Sequence, residues 1–333
     1  MSKILIIKND RVGDLFNSLN GINAILEDNP NAHIEIILSN ITKKLNFLFS
    51  LNNIKITYLP YRLSLLDKIK LIIRLYWDSF DKIYILSPKN FYFYLPLFFK
   101  SKFFAITIKN LNKSRPFNFL LKNLTKYKIN DRVNKKKSDS ISSLIFELCA
   151  TKSFLSYKNN LNNNAPCTKF FYSKMKLFEN FIHVHYKDSI FSKNGWSNED
   201  FFNFLENLSQ KKKLIVTSDY GNFDYHKNFL KRLSHLDFDN FVDQINFNQN
   251  IHYLHNIDTC DLFKLISLTD VTISPHGAMT VMASYLKKKV IDIFDVNITI
   301  NSFREFKPNN DNYNFIIIKS DFKKVLYKIN NFL

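Results

Sequence analysis

The chain begins with a short apolar run, a polar turn and a longer amphipathic segment, ILIIKNDRVGDLFNSLNGINAILED at residues 4–28. Four consecutive apolar residues, Ile4 to Ile7, predict a strand that is covered on both faces, as in a parallel sheet. After the polar turn Lys8 to Asp14, apolar residues recur at helical spacing from Leu15 to Leu26, and Pro30 follows the helix. A strand, a turn and a helix in this order predict the first unit of an α/β fold.

The same alternation continues in two blocks. Apolar runs predict strands at residues 34–38, 54–59 and 82–86, and again at 181–186, 213–218, 250–254, 271–274 and 290–294. Residues 151–166 are polar and rich in asparagine, so we place an inter-domain linker there. The sequence therefore predicts an N-terminal domain of residues 1–158 and a C-terminal domain of residues 159–333. The amphipathic helix at 322–333 is expected to pack back toward the N-terminal domain.

Composition narrows the class of protein. A chain of 333 residues with 46% apolar residues has the material for globular cores, and its net charge of +18 indicates either an anionic partner or drift toward A/T-rich codons. The most apolar window, residues 91–108, is interrupted by Pro96, Lys100 and Lys102, so it does not predict a membrane span. It predicts buried helix and strand, with an aromatic surface at a membrane as the alternative. A basic nucleic-acid-binding protein remains an alternative, although no DNA- or RNA-binding signature is present. The three cysteines are odd in number, widely spaced and without a C-x-x-C pair, and no signal-peptide pattern is present, so the cytoplasm is favoured.

Two turns at strand ends are the candidate sites, because ligands of open α/β sheets bind beyond the carboxyl ends of the strands. In the first turn, Gly13 permits tight geometry and Asp14 stands at a helix start, where it is either a helix cap or a catalytic acid; Asp10 is the alternative acid. The second turn, residues 274–280, opens a helix whose N–H groups suit a diphosphate. Neither a Walker loop nor a G-x-G-x-x-G fingerprint is present.

Other polar residues allow competing interpretations. The D-x-D triplet at 237–239 has the form of a metal site in sugar transferases, but such a triplet is common by chance. His183 and His185 alternate on a strand without an evident third ligand, so a structural or substrate-facing role is favoured over a metal site. His276 lies where a diphosphate or ribose would bind, with a local hydrogen bond as the alternative. His252 and His255 are predicted to be structural.

Three segments together resemble glycosyltransferase family 9, the ADP-heptose:lipopolysaccharide heptosyltransferases. Family members open with a strand, a basic residue, a turn and Gly-Asp before a helix, as in Ile4 to Lys8 and Val12-Gly13-Asp14-Leu15 here. Near the end they show a helix, a strand, a turn with glycine, a helix and a strand, as in residues 261–294. A third segment is the strand at 183–188 followed by Lys193 and Trp196. The chain departs from the family at Pro275, at Thr280, and in the spacing of Lys193 and Trp196, which is one residue wider than usual.

The resemblance implies a GT-B fold, with two Rossmann-like domains facing across a cleft, and an inverting, metal-independent transferase without a cofactor. Asp14 would be the catalytic base, and Lys8, Arg11 and Gly13 would lie on the acceptor side. The nucleotide-sugar-binding residues would be Lys193, His276, Gly277, Ala278, Met279 and Thr280. The default donor is ADP-heptose, and the acceptor is a lipid-linked or surface glycan such as a lipopolysaccharide core. We expect a cytoplasmic protein at the inner face of the inner membrane, held to this anionic surface by Lys89, Lys100, Lys102 and Lys109. A nucleotide-sugar epimerase of similar fold is the alternative enzyme.

Overall fold

The computed structural model describes residues 1–49, 54–109, 118–131, 140–150, 178–218, 244–248, 250–254, 257–297, 307–308, 310–318 and 321–333. It has the predicted α/β class, with two compact units that each hold one sheet. The first unit comprises Met1–Asn163 and Thr299–Asn309, and the second comprises Asn164–Ile298 and Asn310–Leu333. The predicted linker at 151–166 lies outside the described residues.

The first unit has a six-stranded parallel sheet in the order β3-β2-β1-β4-β5-β6. The strands are β1 Lys3–Lys8, β2 His33–Ser39, β3 Ile54–Leu59, β4 Lys82–Ile85, β5 Lys102–Lys109 and β6 Lys126–Asp131. The helices are α1 Val12–Asp28, α2 Leu65–Asp78, α3 Asn118–Leu121 and α4 Ile141–Cys149, with 3₁₀ segments at Asn40–Phe49 and Asn90–Leu97.

Successive strand residues point to opposite faces, which gives this sheet a helical layer on each side. On one face, Leu5 and Ile7 share a core with Leu71 and Leu75 of α2. Helix α1 packs against α4 at Gly21, where an added Cβ would lie 2.8 Å from Cγ2 of Ile145. The absent side chain therefore permits the close approach of the two helices.

The second unit has a seven-stranded sheet in the order β13-β12-β11-β7-β8-β10-β9, in which only β9 is antiparallel. The strands are β7 Phe181–Tyr186, β8 Lys213–Ser218, β9 Gln244–Asn248, β10 Ile251–Leu254, β11 Val271–Pro275, β12 Lys289–Phe294 and β13 Tyr313–Ile317. The helices are α5 Asp188–Phe191, α6 Asn198–Ser209, α7 Thr259–Leu268, α8 Ala278–Tyr285 and α9 Phe322–Asn330, with a 3₁₀ turn at Ser192–Asn194.

The closing helix packs within the second unit, where Val325 and Ile329 of α9 belong to the core and α9 contacts α6. The expectation that this helix packs back toward the N-terminal domain stays a prediction. Trp196 lies in the same core, with ring centroids 5.4 Å from Phe204 and 6.2 Å from Phe322. Hence the aromatic residue of the third family-like segment supports the fold rather than a ligand. Within the part of the chain that the structure describes, none of the helices has the length and apolar composition needed to cross a membrane.

Candidate functional site

The strand order places the predicted turns at two switch points. In the first unit, β1 has β2 on one side and β4 on the other; in the second, β7 has β8 on one side and β11 on the other. Connections leaving adjacent strands at such a point diverge to opposite faces, and the crevice at the carboxyl ends is where open α/β sheets bind ligands. The turn after β1 is therefore at the first switch point, and the turns after β7 and β11 are at the second.

A buried ion pair holds the first switch point together. Nζ of Lys8, the last residue of β1, lies 2.9 Å from Oδ2 of Asp10 and donates to the carbonyl of Leu86, just after β4, at 3.0 Å. The Ser87 hydroxyl donates to the same Asp10 oxygen at 2.7 Å. Lys8 is only 2% exposed. Sequence reasoning placed Lys8 among acceptor contacts, but the structure commits its amine to joining the turns after β1 and β4.

Lys89 adds a second cation to this turn. Its amine donates to the carbonyls of Asn9 and Tyr61, lies over the Tyr61 ring at 4.3 Å, and is 4.0 Å from Oδ1 of Asp10. The Asn9 amide in turn donates to the Tyr92 hydroxyl at 3.1 Å. Lys89 was expected to be a surface charge for membrane attachment, and this expectation is wrong, because its amine is engaged by carbonyls in a half-buried site. Among its partners in that expectation, Lys100 and Lys102 are exposed, and the side chain of Lys109 lies outside the described set.

A cavity of about 360 Å³ opens beside this cluster. Its lining consists of three cationic residues, three aromatic rings and one leucine: Arg62, Lys68, Lys89, Tyr61, Phe91, Tyr92 and Leu63. The guanidinium carbon of Arg11 lies 5.6 Å from the centroid of the Tyr61 ring. A pocket with cations and aromatic faces suits a ligand that has anionic groups on a partly apolar frame.

Asp14 and Asp10 have opposite electrostatic surroundings. Burial raises the pKa of Asp14; the nearby Asp10 carboxylate adds to this rise, and the charges of Lys8 and Arg11 oppose it. Burial acts upward on Asp10 too, but the charge of Lys8, hydrogen bonds from Ser87 and Lys8, and the charge of Lys89 together lower its pKa. Two acids whose surroundings separate their pKa values are the usual basis for assigning different roles in proton transfer. Asp10 is the partner of Lys8, and Asp14 is the better proton acceptor.

Asp14 lies inside the first turn of α1 rather than at its N-cap. The N-cap of α1 is Arg11, so Asp14 is the third helical residue, and its carboxylate interacts with the Arg11 backbone N–H. Gly13 is the second helical residue, so it lies in the first turn of α1 rather than in the loop before the helix. The interaction with the Arg11 N–H is half of a capping box.

At the second switch point, the turn after β11 is stabilised by hydrogen bonds between its own residues. The Thr280 hydroxyl donates to the Gly277 carbonyl at 2.8 Å and accepts from the Gly277 N–H at 3.2 Å. Thr280 is buried, so the hydroxyl predicted to bind a nucleotide sugar instead shapes the turn. The N–H groups of Ala278 and Met279 begin α8, and the first N–H groups of a helix have no acceptor within it. This end of α8 suits an anion.

A buried triad fixes the imidazole of His276. Its Nδ1 lies 2.7 Å from Oδ2 of Asp292, the Tyr313 hydroxyl donates to the same oxygen at 2.7 Å, and the imidazole stacks on Phe294 with centroids 4.6 Å apart. Asp292 is fully buried; burial raises its pKa, while the contacts with His276 and Tyr313 oppose the rise. Sequence reasoning missed Asp292 and Tyr313. The available signal was a carboxylate inside the otherwise apolar strand at 290–294.

Lys193 lies in the turn that follows β7 and α5, where it is exposed. Its neighbour Asn194 accepts from the backbone N–H of Val296, after β12, at 3.4 Å. Because β7, β11 and β12 are parallel, their carboxyl ends share one edge of the sheet. Lys193 therefore lies at the same edge as the His276 turn.

The remaining histidines form no metal centre in the described part of the chain. Nε2 of His183 and Nδ1 of His185 both contact the Thr217 hydroxyl, at 2.8 and 3.0 Å. Burial lowers the pKa of His183 to about 3, so this imidazole is neutral at physiological pH. Burial also lowers the pKa of His252. The D-x-D triplet at 237–239 and His255 lie outside the described residues.

Comparisons with known proteins identify the fold. The sequence matches no protein-family model and no curated protein. Among solved structures, the chain is similar to a glycosyl transferase family 9 protein from Veillonella parvula, with a TM-score of 0.67, 9% identity, and coverage of 99% of this chain and 88% of that one. It is similar to the E. coli heptosyltransferase WaaC with ADP, with a TM-score of 0.67, 10% identity, and coverage of 99% and 100%. It is also similar to the UDP-GlcNAc 2-epimerase of Methanocaldococcus jannaschii, with a TM-score of 0.61, 13% identity, and coverage of 98% and 92%. The chain has the GT-B fold, with two Rossmann-like domains.

Proposed function

We propose that this protein is an inverting, metal-independent glycosyltransferase. It would move a sugar, by default heptose, from a nucleoside diphosphate donor to a lipopolysaccharide core or a related surface glycan. The observation that carries this proposal is the pair of acids after β1, where Asp10 is neutralised by Lys8 and Asp14 has a pKa raised by burial. A carboxylate of raised pKa, positioned at a ligand-binding crevice, is suited to general-base catalysis.

Asp14 would take the proton of an acceptor hydroxyl as that oxygen attacks the anomeric carbon of the donor. A carbon–oxygen bond to the acceptor forms while the bond to the donor phosphate breaks, and the bonding electrons leave with the nucleoside diphosphate. Attack from the side opposite the leaving group inverts the anomeric carbon. The ion pair between Lys8 and Asp10 would hold the turn that carries Asp14 without itself contacting the substrate.

The leaving diphosphate would be stabilised by the second unit. The N-terminus of α8 offers backbone donors at Ala278 and Met279, and His276 is held beside it by a fully buried carboxylate. Lys193, at the same sheet edge, would add a mobile positive charge. Oriented donors and cations at the atoms where charge develops can take the role that a divalent ion has in other transferases.

The acceptor would enter at the basic cavity of the first unit. Arg11 lies near the Tyr61 ring and Arg62 lines the cavity, and these two guanidinium groups would pair with phosphate or carboxylate groups of a lipid-linked glycan. Such an acceptor places the reaction at the cytoplasmic face of the inner membrane. An ADP-linked donor is proposed from the likeness to heptosyltransferases.

The decisive experiment compares Asp14→Asn with Asp10→Asn in transfer assays that use ADP-heptose and a lipopolysaccharide-core acceptor. Asp14→Asn should reduce turnover by about 10²–10⁴-fold with nucleotide affinity nearly unchanged, because an amide keeps the shape but accepts no proton. The raised pKa of Asp14 also predicts a loss of rate as pH falls through that value, and an acid limb that is absent from any residual activity of the variant. Wild-type turnover in Asp14→Asn would refute the assignment and make Asp10 the base, provided that Asp10→Asn remains folded and inactive.

A nucleotide-sugar epimerase is the second candidate, and the similarity to the M. jannaschii epimerase structure favours it. The two reactions differ in their need for an acceptor. Incubation with the nucleotide sugar alone, followed by product analysis, should return unchanged sugar nucleotide from a transferase. An epimerised nucleotide sugar would replace the transferase proposal with the epimerase.

A further inference from the structure

Helix α2 of the first unit carries an apolar face that its own core does not use. Leu71 and Leu75 hold the helix to the core and are almost fully buried. Six other large apolar residues of α2 are 45–78% exposed: Leu65, Leu66, Ile69, Ile73, Tyr76 and Trp77. At about 100° per residue, these six positions fall on one continuous third of the helix circumference.

The charges of α2 are separated from this face. Lys70 is exposed and borders the apolar arc beside Trp77, and Lys68 lies beyond its other border, near the cavity. Asp67 and Asp78 fall on the far side of the helix, where Asp67 forms the capping box with Ser64 and Asp78 lies 3.8 Å from Arg74. The apolar face thus has a lysine at one border, a second lysine beyond the other border, and no acidic group.

This surface has the features of a helix that lies in a membrane interface. Such helices combine an apolar face with lysine or arginine at its borders, and tryptophan and tyrosine are preferred at the depth of the lipid headgroups. Tyr76 and Trp77 occupy the last turn of α2, with ring centroids 5.8 Å apart. The net charge of +18 complements an anionic leaflet.

We propose that the outer face of α2 docks the protein on the surface of an anionic phospholipid bilayer, with Trp77 inserted at the headgroup level. The inference does not depend on the transfer reaction, because it rests on the exposure and charge pattern of one helix. It also replaces the earlier expectation that Lys89 provides membrane attachment, since the amine of that residue is engaged within the first site.

The chain offers a direct reporter for this contact. The chain contains two tryptophans, and Trp196 is only 4% exposed in the core of the second unit, so Trp196→Phe leaves Trp77 as the only tryptophan. Addition of phosphatidylglycerol vesicles should shift the Trp77 emission to the blue, and brominated lipids should quench it. Phosphatidylcholine vesicles should give little change, and salt should weaken the response because it screens the lysines.

A matched pair of variants tests the apolar contribution by vesicle sedimentation. The double variant Leu66→Ser, Ile73→Ser should lose at least about tenfold in partitioning, because burial of each large apolar side chain is worth about this much or more. Tyr327→Ser is the control, since Tyr327 is 69% exposed on α9 of the second unit. All of these positions are exposed, and the thermal midpoint of each variant should stay near that of the parent.

Three outcomes would overturn the proposal. The first is an unchanged Trp77 spectrum with anionic vesicles, and the second is an equal loss of partitioning in Tyr327→Ser. The third is a blue shift of Trp77 that appears with rising protein concentration in the absence of lipid, which would assign the face to a second copy of the chain.

Discussion

The substitution Lys8→Met tests how much the fold depends on the ion pair at the first switch point. Methionine keeps the length of the side chain but removes the charge that lies 2.9 Å from Asp10. Asp10 would then remain buried with the Ser87 hydroxyl and with Lys89, whose amine is 4.0 Å away. Burial already lowers the pKa of Lys89, and its amine is engaged by two carbonyls, so it is a poor substitute for Lys8.

The loss of stability expected for Lys8→Met follows from these distances. At an effective dielectric constant of about 20, the attraction of two charges is about 6 kcal/mol at the 2.9 Å of the Lys8 pair and about 4 kcal/mol at the 4.0 Å of the Lys89 pair. Removal of one partner of a buried pair usually destabilises a protein by about 3–5 kcal/mol, and we expect the lower end because the Ser87 hydroxyl still donates to Asp10. The double variant Lys8→Met, Asp10→Asn should recover most of this loss.

The pH dependence of the unfolding free energy tests the sign of the interaction between Lys8 and Asp10. In the wild-type protein the pKa of Asp10 is lowered, so its contribution to stability is present above the unfolded-state pKa and is lost as pH falls through the folded-state value. Without Lys8, burial should raise the pKa of Asp10, so the folded form takes up a proton and the penalty grows as pH rises. Urea denaturation of the wild type and both variants between pH 5 and pH 8 would show this. A penalty below about 1 kcal/mol, or one that neither varies with pH nor is relieved by Asp10→Asn, would refute the reasoning.

Three further predictions concern packing, the second site and metals. Gly21→Ala should destabilise the protein by about 1–2 kcal/mol in urea denaturation, because the clash with Ile145 outweighs the gain in helix propensity. Glu27→Ala, on the exposed side of α1, should change the stability little, and equal effects of the two variants would contradict the packing argument. Asp292→Asn should weaken nucleoside diphosphate binding by roughly tenfold in calorimetry, because His276 loses the charge-assisted hydrogen bond that orients it. An unchanged affinity would show that His276 is not part of the donor site. Transfer activity should persist in excess chelator, whereas loss with rescue by magnesium or manganese would favour the D-x-D triplet at 237–239.

The sequence predicted the central strands of each sheet better than the edge strands. The apolar runs at 4–7, 34–38 and 181–186 correspond to β1, β2 and β7, which are central strands with nearly every residue buried. Strands β6, β9 and β13 were not predicted, and all three lie at sheet edges. In β6 and β13 the exposed and buried positions are mixed, so no continuous apolar run marks them. An edge strand pairs with a neighbour on one side alone, so fewer of its residues need to be apolar. The apolar pattern that marks such a strand in the sequence is therefore weaker.

The candidate sites were predicted as positions along the chain but not as sets of partners. The turns after β1 and β11 follow from local pattern and from the family resemblance, because both sources of information are contiguous in sequence. The partners of those turns come from other strands: Ser87 and Lys89 follow β4, and Asp292 and Tyr313 belong to β12 and β13. Their proximity depends on strand order, which a single sequence does not specify. For the same reason the hydrogen bond from Lys8 to the Leu86 carbonyl could not be anticipated, whereas Asp10 lies in the same turn as Lys8.

The central position of β7 has a consequence for the order in which the chain is made. This strand needs β8 on one side and β11 on the other, and several other segments emerge from the ribosome between them. Until residues 271–275 have been synthesised, one edge of β7 has unpaired backbone groups next to apolar side chains. Exposed edges of this kind attract other chains and chaperones during synthesis. A translational pause between β10 and β11 would therefore be costly for the yield of folded protein, whereas a pause after β6 would leave all six strands of the first sheet already synthesised.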